Sequence, residues 1–476
     1  MAKSKLHRQE SATGTDARQA ERGRILVPGT DMTLIPVPGS ALIPKGSFKR
    51  RLLIMAGGSS ALQVLSTASA VILTPLLISS LKPSGFGQYS TVMTIPTLMT
   101  VADLGLASGI VSPLSKALEK RDLPAAKQLI STVRLNLSAI AVALMLSCAG
   151  YAMWQHNSGG SVGTITQGAL VAIFAIGVSL PFTVAYRARL STQTTQWSSL
   201  WQSIGVMASF STTLVLLRGD PSVPLIVAGM LGGRFLGLLL DTWWTQRAYP
   251  TWFQSSPKDF SLSLAKGLVA PGAAFVALQL SGIIAYQIDL WVITAIKGST
   301  AAATYAVPQR LFAIGPLIGG FILIPLWPAY ARAISRGDAV WIRIWLRRSI
   351  AITGLVVLSV SIFLLLAGNW LVSVWLGDAG AGVNIPGSLW VALAVWTSLN
   401  CLSGPLAMLL NGAGVLGPQV VSAVLMAVVN LGLSIVFTRH IGISGPAWGS
   451  TLAQLGIAIP IAAFYAQRCL KGLRAD

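Results

Sequence analysis

The sequence predicts an all-α membrane protein of about twelve transmembrane helices, arranged as two pseudo-symmetric six-helix lobes around a central cavity. The first observation is composition: 53% of the 476 residues are hydrophobic, 10% are charged, and the mean hydropathy is +0.69. Soluble domains carry roughly 25% charged residues, so this chain lacks the charge of a water-facing surface. The other two observations are recurrent apolar runs and an internal repeat.

Twelve apolar runs follow Arg51, each bounded by charged residues or by Gly and Pro. A bilayer crossing needs roughly 20 mostly apolar residues, and each run provides about that length. In order, the predicted helices are 52–80, 88–112, 129–154, 167–190, 197–217, 223–246, 268–296, 304–330, 349–370, 388–411, 418–437 and 446–467. We expect a disordered basic cytoplasmic tail over 1–50, an N-terminal lobe over 51–246 and a C-terminal lobe over 247–476.

The distribution of Lys and Arg predicts the orientation, because positively charged loops stay on the cytoplasmic side. With both termini inside, 27 of the 34 Lys and Arg lie in cytoplasmic segments and 4 in outward loops. The remaining three lie within helices. The net charge of +20 therefore reflects membrane topology and does not indicate nucleic acid as a partner.

Two outward turns share a pattern. The segment 81–89 (LKPSGFGQY) and the segment 296–305 (IKGSTAAATY) each place a Lys and small residues before a Tyr that opens the next helix. Duplication of a six-helix unit explains the match. The alternative is that tight membrane turns collect Gly, Ser and Tyr in any case.

Residue types for catalysis are scarce. The three cysteines, Cys148, Cys401 and Cys469, lack the spacing of a disulfide or metal framework, and no phosphate-binding GxxxxGK[ST] loop occurs, so no cofactor or metal is expected. A membrane polymerase or glycosyltransferase would need paired catalytic groups or a large outward loop. The longest outward loop, 371–387, carries one acid, Asp378. An enzyme is therefore not predicted.

The order and spacing of several short motifs resemble bacterial polysaccharide-biosynthesis membrane proteins, the lipid-linked oligosaccharide or O-antigen flippases. Their superfamily also holds multidrug and toxin extrusion transporters and lipid II flippases. The matching segments are 74–77 (TPLL), 85–89 (GFGQY), 103–106 (DLGL), 287–290 (QIDL), the turn 298–305, 411–414 (NGAG), Asn430 and 442–449 (GISGPAWG).

This resemblance implies a transporter of the bacterial inner membrane. It would move an undecaprenyl-diphosphate-linked oligosaccharide by alternating access for exopolysaccharide or lipopolysaccharide synthesis. The lipid bilayer and other polysaccharide-assembly proteins are candidate partners. A cation-coupled multidrug exporter shares the fold and is the alternative. The only Glu outside the tail, Glu119, lies in a cytoplasmic loop, which argues against Glu-based ion coupling.

Charged side chains within the predicted helices are candidate transport residues, because a charge at the bilayer centre is costly unless it faces a cavity or a partner. Arg234 lies near the midplane of the sixth helix, where it could face the cavity or pair with Asp241. Arg310 and Asp289 lie at similar depths on adjacent helices, where they could form an outer gate or a structural ion pair. Asp103 and Arg134 could also pair, and Arg134 is a candidate cavity residue.

Two further groups are candidates for contacting the cargo. Arg187 and Arg189 end the fourth helix at the cytoplasmic face, where they could capture a diphosphate or simply retain that end inside. Amide side chains within helices could contact a sugar or bond to neighbouring helices. These amides are Gln279, Gln309, Asn400, Asn411, Asn430 and Gln454.

Overall fold

A computed structural model describes residues 48–98, 109–159, 162–323, 326–380, 383–415 and 417–472. Within these ranges the chain forms helices and turns and contains no strand. Residues 1–47 of the tail predicted over 1–50, and the candidate residue Asp103, lie outside the described residues, whereas residues 48–50 are helical.

The first lobe contains seven helices in the described ranges. They are α1 (Phe48–Val92), α2 (Val111–Glu119), α3 (Leu123–Asn157), α4 (Thr164–Ser179), α5 (Val184–Ser191), α6 (Thr195–Leu216) and α7 (Val223–Ala248). A linker that includes a short turn at Pro257–Asp259 leads to the second lobe. The first helix begins at Phe48, a few residues before the predicted start.

The second lobe contains more helix breaks than the sequence predicts. Its helices are α8 (Leu262–Gln287), α9 (Asp289–Lys297), α10 (Ser299–Phe312), α11 (Ile314–Leu323), α12 (Leu326–Ser335), α13 (Ala339–Leu376), α14 (Gly387–Gly412), α15 (Gly417–Ile441), α16 (Gly445–Ala453) and α17 (Ile459–Gly472). A π-helical turn at Gln454–Ala458 joins the last two.

The twelve predicted segments coincide with helices over their described residues. Seven continuous segments are long and apolar enough to cross a membrane in this part of the chain. One of them, Gly417–Lys471, contains two predicted crossings, and another, Gly57–Leu98, contains most of the first predicted crossing and the start of the second. Three predicted helices are broken: 167–190 is divided into α4 and α5 by a turn at Leu180–Phe182, 268–296 is broken at Ile288, and 304–330 consists of three shorter helices.

Backbone geometry supports duplication and corrects its register. Lys82 has φ 61° and ψ 166°, and Gly298 has φ 88° and ψ 170°, so the two outward turns share one unusual conformation. The residue equivalent to Lys82 is therefore Gly298 rather than Lys297. In this register Tyr89 and Tyr305 each lie seven residues after the turn.

A second pair of turns keeps the same separation of 216 positions. The Asp122 carboxylate accepts from the Ala125 N–H at 3.0 Å, and the Asp338 carboxylate accepts from the Trp341 N–H at 2.9 Å. The Asp122 N–H donates to the Ala117 carbonyl at 2.9 Å, and the Asp338 N–H donates to the Ala333 carbonyl at 3.0 Å. The same hydrogen bonds therefore start α3 and α13, which is expected of two copies of one unit.

The two lobes contact each other tightly where α1 meets α9 and α10. A Cβ on Gly87 would lie 1.7 Å from the Ser299 carbonyl oxygen, so only glycine fits there. The Thr91 and Thr294 hydroxyl oxygens are 2.7 Å apart, and the Trp291 indole donates to the Thr94 hydroxyl at 2.7 Å. These contacts, here called the outer seam, close the lobes against each other on the predicted outward side.

Candidate functional site

One cavity has a volume of about 630 Å³, and its described lining residues all belong to the first lobe. Its walls come from α1, α5, α6 and α7 and the turns beside α1 and α5. The lining residues are Ser59, Leu62, Gln63, Ser66, Thr67, Pro96, Thr183, Tyr186, Arg187, Ser199, Gln202, Val206, Arg234 and Leu238. Most belong to the helix halves predicted to be cytoplasmic, so the cavity lies opposite the outer seam.

The contribution of α1 is a polar stripe that the sequence analysis missed. Ser59, Gln63, Ser66 and Thr67 recur at spacings of three and four residues, which places them on one face of a helix. A stripe of polar side chains in an apolar membrane span is unfavourable in contact with lipid. It therefore indicates a helix face that lies toward a water-filled cavity. This spacing is the signal that could have identified the cavity wall.

Arg234 and Arg187 supply the charge of this cavity. Arg234 is exposed to the cavity and Arg187 is half-buried, and none of the described lining residues is acidic. Neither guanidinium lies within ion-pair distance of a carboxylate of a described residue. The cavity is therefore cationic, with hydroxyl and amide groups on its walls.

Close helix packing fixes the position of Arg234. A Cβ on Gly233 would lie 2.3 Å from the Ser209 backbone nitrogen, and one on Gly237 would lie 2.8 Å from the Trp201 carbonyl oxygen. These glycines let α7 approach α6 closely, as small residues do in membrane bundles. Arg234 is therefore held on a rigid pair of helices.

Arg189 does not reach the cavity, contrary to its predicted role in phosphate capture. Its Nε donates to the Asp241 carboxylate at 2.8 Å and is 2.8 Å from the Thr245 hydroxyl, and both charged side chains are 1% exposed. Asp241 is thus the partner of Arg189 and not of Arg234. The prediction failed because α5 is short, and residues two apart on a helix face different directions.

Arg310 and Asp289 do not pair either. The Arg310 guanidinium donates to the Ala70 carbonyl at 3.1 Å and to the Thr74 hydroxyl on α1, and it lies 4.9 Å from the centre of the Phe86 ring. Arg310 therefore joins the two lobes directly, and the predicted ion-pair gate is wrong.

A proline creates a second acceptor beside Arg310. Pro75 has no N–H, so the carbonyl of Val71, four residues earlier, loses its helical partner. The Trp375 indole of α13 donates to this carbonyl at 3.1 Å. Two donors of the second lobe therefore bind carbonyl groups of α1 close to Pro75. Trp375 has no sequence signal that would mark it as such a donor.

Asp289 is bonded to Tyr305 instead. The Tyr305 hydroxyl donates to Asp289 Oδ2 at 2.7 Å, and the carboxyl is 2% exposed. Tyr305 also lines a second cavity of about 130 Å³ in the second lobe. Its other lining residues are Gln309, Phe312, Ala313, Pro316, Leu393, Trp396, Thr397 and Asn400.

The remaining candidates are dispersed. Arg134 donates to the Ser255 hydroxyl of the linker at 3.1 Å and lies 4.6 Å from the centre of the Phe253 ring, so it holds the linker rather than lining either cavity. Gln279 lines neither cavity, whereas Asn400 lines the second. Three other amides bond to neighbouring side chains and contribute to packing: Asn411, Asn430 and Gln454.

Solved structures with a similar fold are membrane transporters. The chain is similar to an inward-facing multidrug resistance MATE family transporter of the MOP superfamily, with a TM-score of 0.69 and 16% identity over 86% of this chain and 96% of that one. An outward-facing multidrug resistance MATE family transporter of the same superfamily gives a TM-score of 0.63. Its identity is 15%, over 90% of this chain and 98% of that one.

A MOP superfamily transporter from Pyrococcus furiosus, whose reverse polarity of binding pocket suggests a different function, gives a TM-score of 0.64. Its identity is 14%, over 90% of this chain and 96% of that one. At such identities the likeness shows the fold alone.

Sequence comparison gives the family. No curated protein matches the chain. The model of the family described as "Polysaccharide biosynthesis protein" matches residues 57–334, more than half of the chain. The chain therefore belongs to the polysaccharide biosynthesis protein family and has the fold of a multi-pass membrane transporter.

Proposed function

We propose that this transporter moves an undecaprenyl-diphosphate-linked oligosaccharide across the bacterial inner membrane, with both termini cytoplasmic. The observation that carries the proposal is the cationic cavity, in which Arg187 and Arg234 share walls with hydroxyl and amide groups and the described lining residues include no carboxylate. Arginine presents a planar fork of donors that matches phosphate oxygens. The hydroxyls and amides are suited to hydrogen bonds with a sugar.

The volume of the cavity is suited to binding the headgroup of a lipid-linked cargo and not the whole lipid. Its volume of about 630 Å³ lies within the usual range of ligand pockets, roughly 300–1,000 Å³. The polyprenyl chain is as apolar as the bilayer and would remain in lipid. Only the diphosphate and the first sugars then need the cavity.

The arrangement of the lobes suggests the state from which transport starts. The cavity belongs to the predicted cytoplasmic half, and the outer seam is closed by the contacts around Gly87 and Thr91. Loading would occur from the inner leaflet in this state. Release outside would require the outer seam to open. The nearby contacts of Arg310 and Trp375 with α1 would have to break as well.

The multidrug exporter is the second candidate, because transporters of that kind share the fold. Organic cations would meet two arginines and, among the described lining residues, no acidic side chain in this cavity. Coulomb repulsion disfavours that cargo at short range, where water is partly excluded. The charge of the cavity therefore favours an anionic headgroup.

The test is the distribution of lipid-linked oligosaccharide between leaflets in cells that lack this protein. Wild-type chain should relieve inner-leaflet accumulation, and Arg187→Gln with Arg234→Gln should reduce that rescue by at least tenfold, since each charge-assisted hydrogen bond contributes about 1.5–3 kcal/mol. Arg247→Gln is the matched control, because Arg247 lies on α7 over Trp243 and outside the cavity.

Two results would contradict the proposal. Full rescue by the double variant would remove the two arginines from the transport path. Unchanged lipid pools in the deletion strain, together with new sensitivity to organic cations, would favour the multidrug exporter.

A further inference from the structure

We propose that the Asp289 carboxyl is a proton-binding site that exchanges protons with the second cavity through the Tyr305 hydroxyl. The site is separate from the cationic cavity. Only its use, to couple transport to a proton gradient, depends on the proposed function.

The geometry of the pair leaves one carboxyl oxygen open. Asp289 Oδ2 accepts the hydrogen bond from Tyr305, whereas Oδ1 is buried and has no hydrogen-bond partner among the described residues. An oxygen buried in this way is costly unless it carries or receives a proton. The unpartnered oxygen therefore makes the ionised form of this carboxyl costly, and one proton bound to the carboxyl removes that charge.

The surroundings do not supply a compensating cation. The helices packed against α9 are α1, α8, α10, α15 and α16, and their described side chains place only Tyr305 as a titratable group in contact with Asp289. The other titratable or charged groups on α9 and on these helices whose side chains are described form neither a hydrogen bond nor an ion pair with Asp289; they are Lys82, Tyr89, Lys266, Lys297, Arg310, Arg439 and His440. The side chains of Lys49, Arg50, Arg51 and Tyr286 lie outside the described ones.

Two opposing effects let the site change charge. Burial without a cation penalises the ionised carboxylate. The Tyr305 hydrogen bond stabilises it. A group held between such effects can gain and lose a proton during a conformational cycle.

The repeat shows that this feature is confined to the second lobe. In the first lobe, the position equivalent to Asp289 is Leu73, which is buried, and the Tyr89 hydroxyl donates to the Met230 sulfur at 2.9 Å. Tyr89, the equivalent of Tyr305, therefore has no carboxylate as its hydrogen-bond partner. A packing role would not require the acid, because the first lobe packs the same position with leucine.

Tyr305 provides a path for the proton, since a hydroxyl accepts and donates at once. A water in the second cavity would give a proton to the Tyr305 oxygen as the Tyr305 proton moves to Asp289 Oδ2. The water is left as hydroxide or, starting from hydronium, as neutral water. Release reverses the same transfers, so no other reactant is needed.

The test is infrared titration of the purified full-length protein in lipid, in H₂O and in D₂O. Wild type should show an absorption band of a protonated carboxyl group, with the intensity of one carboxyl per chain. This band should disappear as the pH rises. Asp289→Asn should remove this band. Tyr305→Phe should retain it at a shifted frequency and slow its exchange with D₂O. Asp378→Asn is the matched control, because Asp378 lies exposed in the turn Gly377–Gly380, and should leave the band unchanged.

Three results would overturn the inference: absence of the band in wild type, its persistence in Asp289→Asn, or its removal by Na⁺ at constant pH. The last would make the site a cation site. Failure of the leaflet assay alone would refute the cargo and leave the proton site standing, so the two proposals fail separately.

Discussion

The contrast between Arg187 and Arg189 shows how a single position along a helix decides the role of a side chain. Both are arginines on α5, yet Arg187 lines the cavity and Arg189 is buried against Asp241. A buried ion pair contributes little net stability, because desolvation offsets its attraction, but removal of one partner leaves a buried charge. We therefore interpret the Arg189–Asp241 pair as the element that fixes α5 against α7.

Asp241→Asn should lower the free energy of unfolding by about 3–5 kcal/mol, since it leaves the Arg189 charge buried without its partner. The double variant Arg189→Met with Asp241→Leu should recover most of that loss, because it removes both charges and keeps the volume. Thermal unfolding of the purified protein measures both. If Asp241→Asn unfolds at the wild-type temperature, the pair does not hold these helices.

Among the elements, α1 combines two structural breaks with two functions. Its first part carries the polar stripe of the cavity, Pro75 exposes a carbonyl to the other lobe, and the turn at Lys82 reverses the chain. The polar stripe of the cavity and the segment around Pro75 lie on one helix. Movement of the second lobe away from Pro75 would therefore be transmitted directly to the cavity wall.

Trp375→Phe should weaken the closed outer seam, because the ring remains but the Val71 carbonyl loses its donor. The loss of about 1–2 kcal/mol would shift the equilibrium toward the open seam by roughly 5–30-fold. Spin labels at Lys82 and Lys297, on the two outward turns, report this shift as a longer distance. Trp370→Phe on the exposed side of α13 is the control, and equal distances in both variants would refute the role of Trp375.

Hydropathy and charge were sufficient to predict the helices, since length and apolar content determine what can cross a bilayer. They predicted Arg234 as a cavity residue, and the structure places it in a cavity wall. They could not predict pairings: Arg310 bonds to a backbone carbonyl, which has no sequence signature. The breaks at Ile288 and within 304–330 were also missed, because apolar helices continue through such positions without a change in composition.

For the whole molecule, duplication followed by divergence explains the distribution of charge. The two copies keep the same turns at Lys82 and Gly298 and the same helix starts at Asp122 and Asp338. Their charged groups differ: the first lobe lines its cavity with arginines, and the second buries the acid Asp289. We infer that one copy contacts cargo and the other senses protons, while the outer seam couples their movements.

A disulfide across the outer seam should stop this coupled movement. Thr91→Cys with Thr294→Cys, after replacement of Cys148, Cys401 and Cys469 by serine, places two thiols where hydroxyl oxygens are 2.7 Å apart, close enough for a disulfide after a small adjustment. Oxidation should abolish rescue in the leaflet assay, and a reductant should restore it. Each single cysteine variant should retain rescue under oxidation. Transport by the oxidised, fully cross-linked protein would mean that the outer seam need not open, and cargo would then have to leave by another path between the helices.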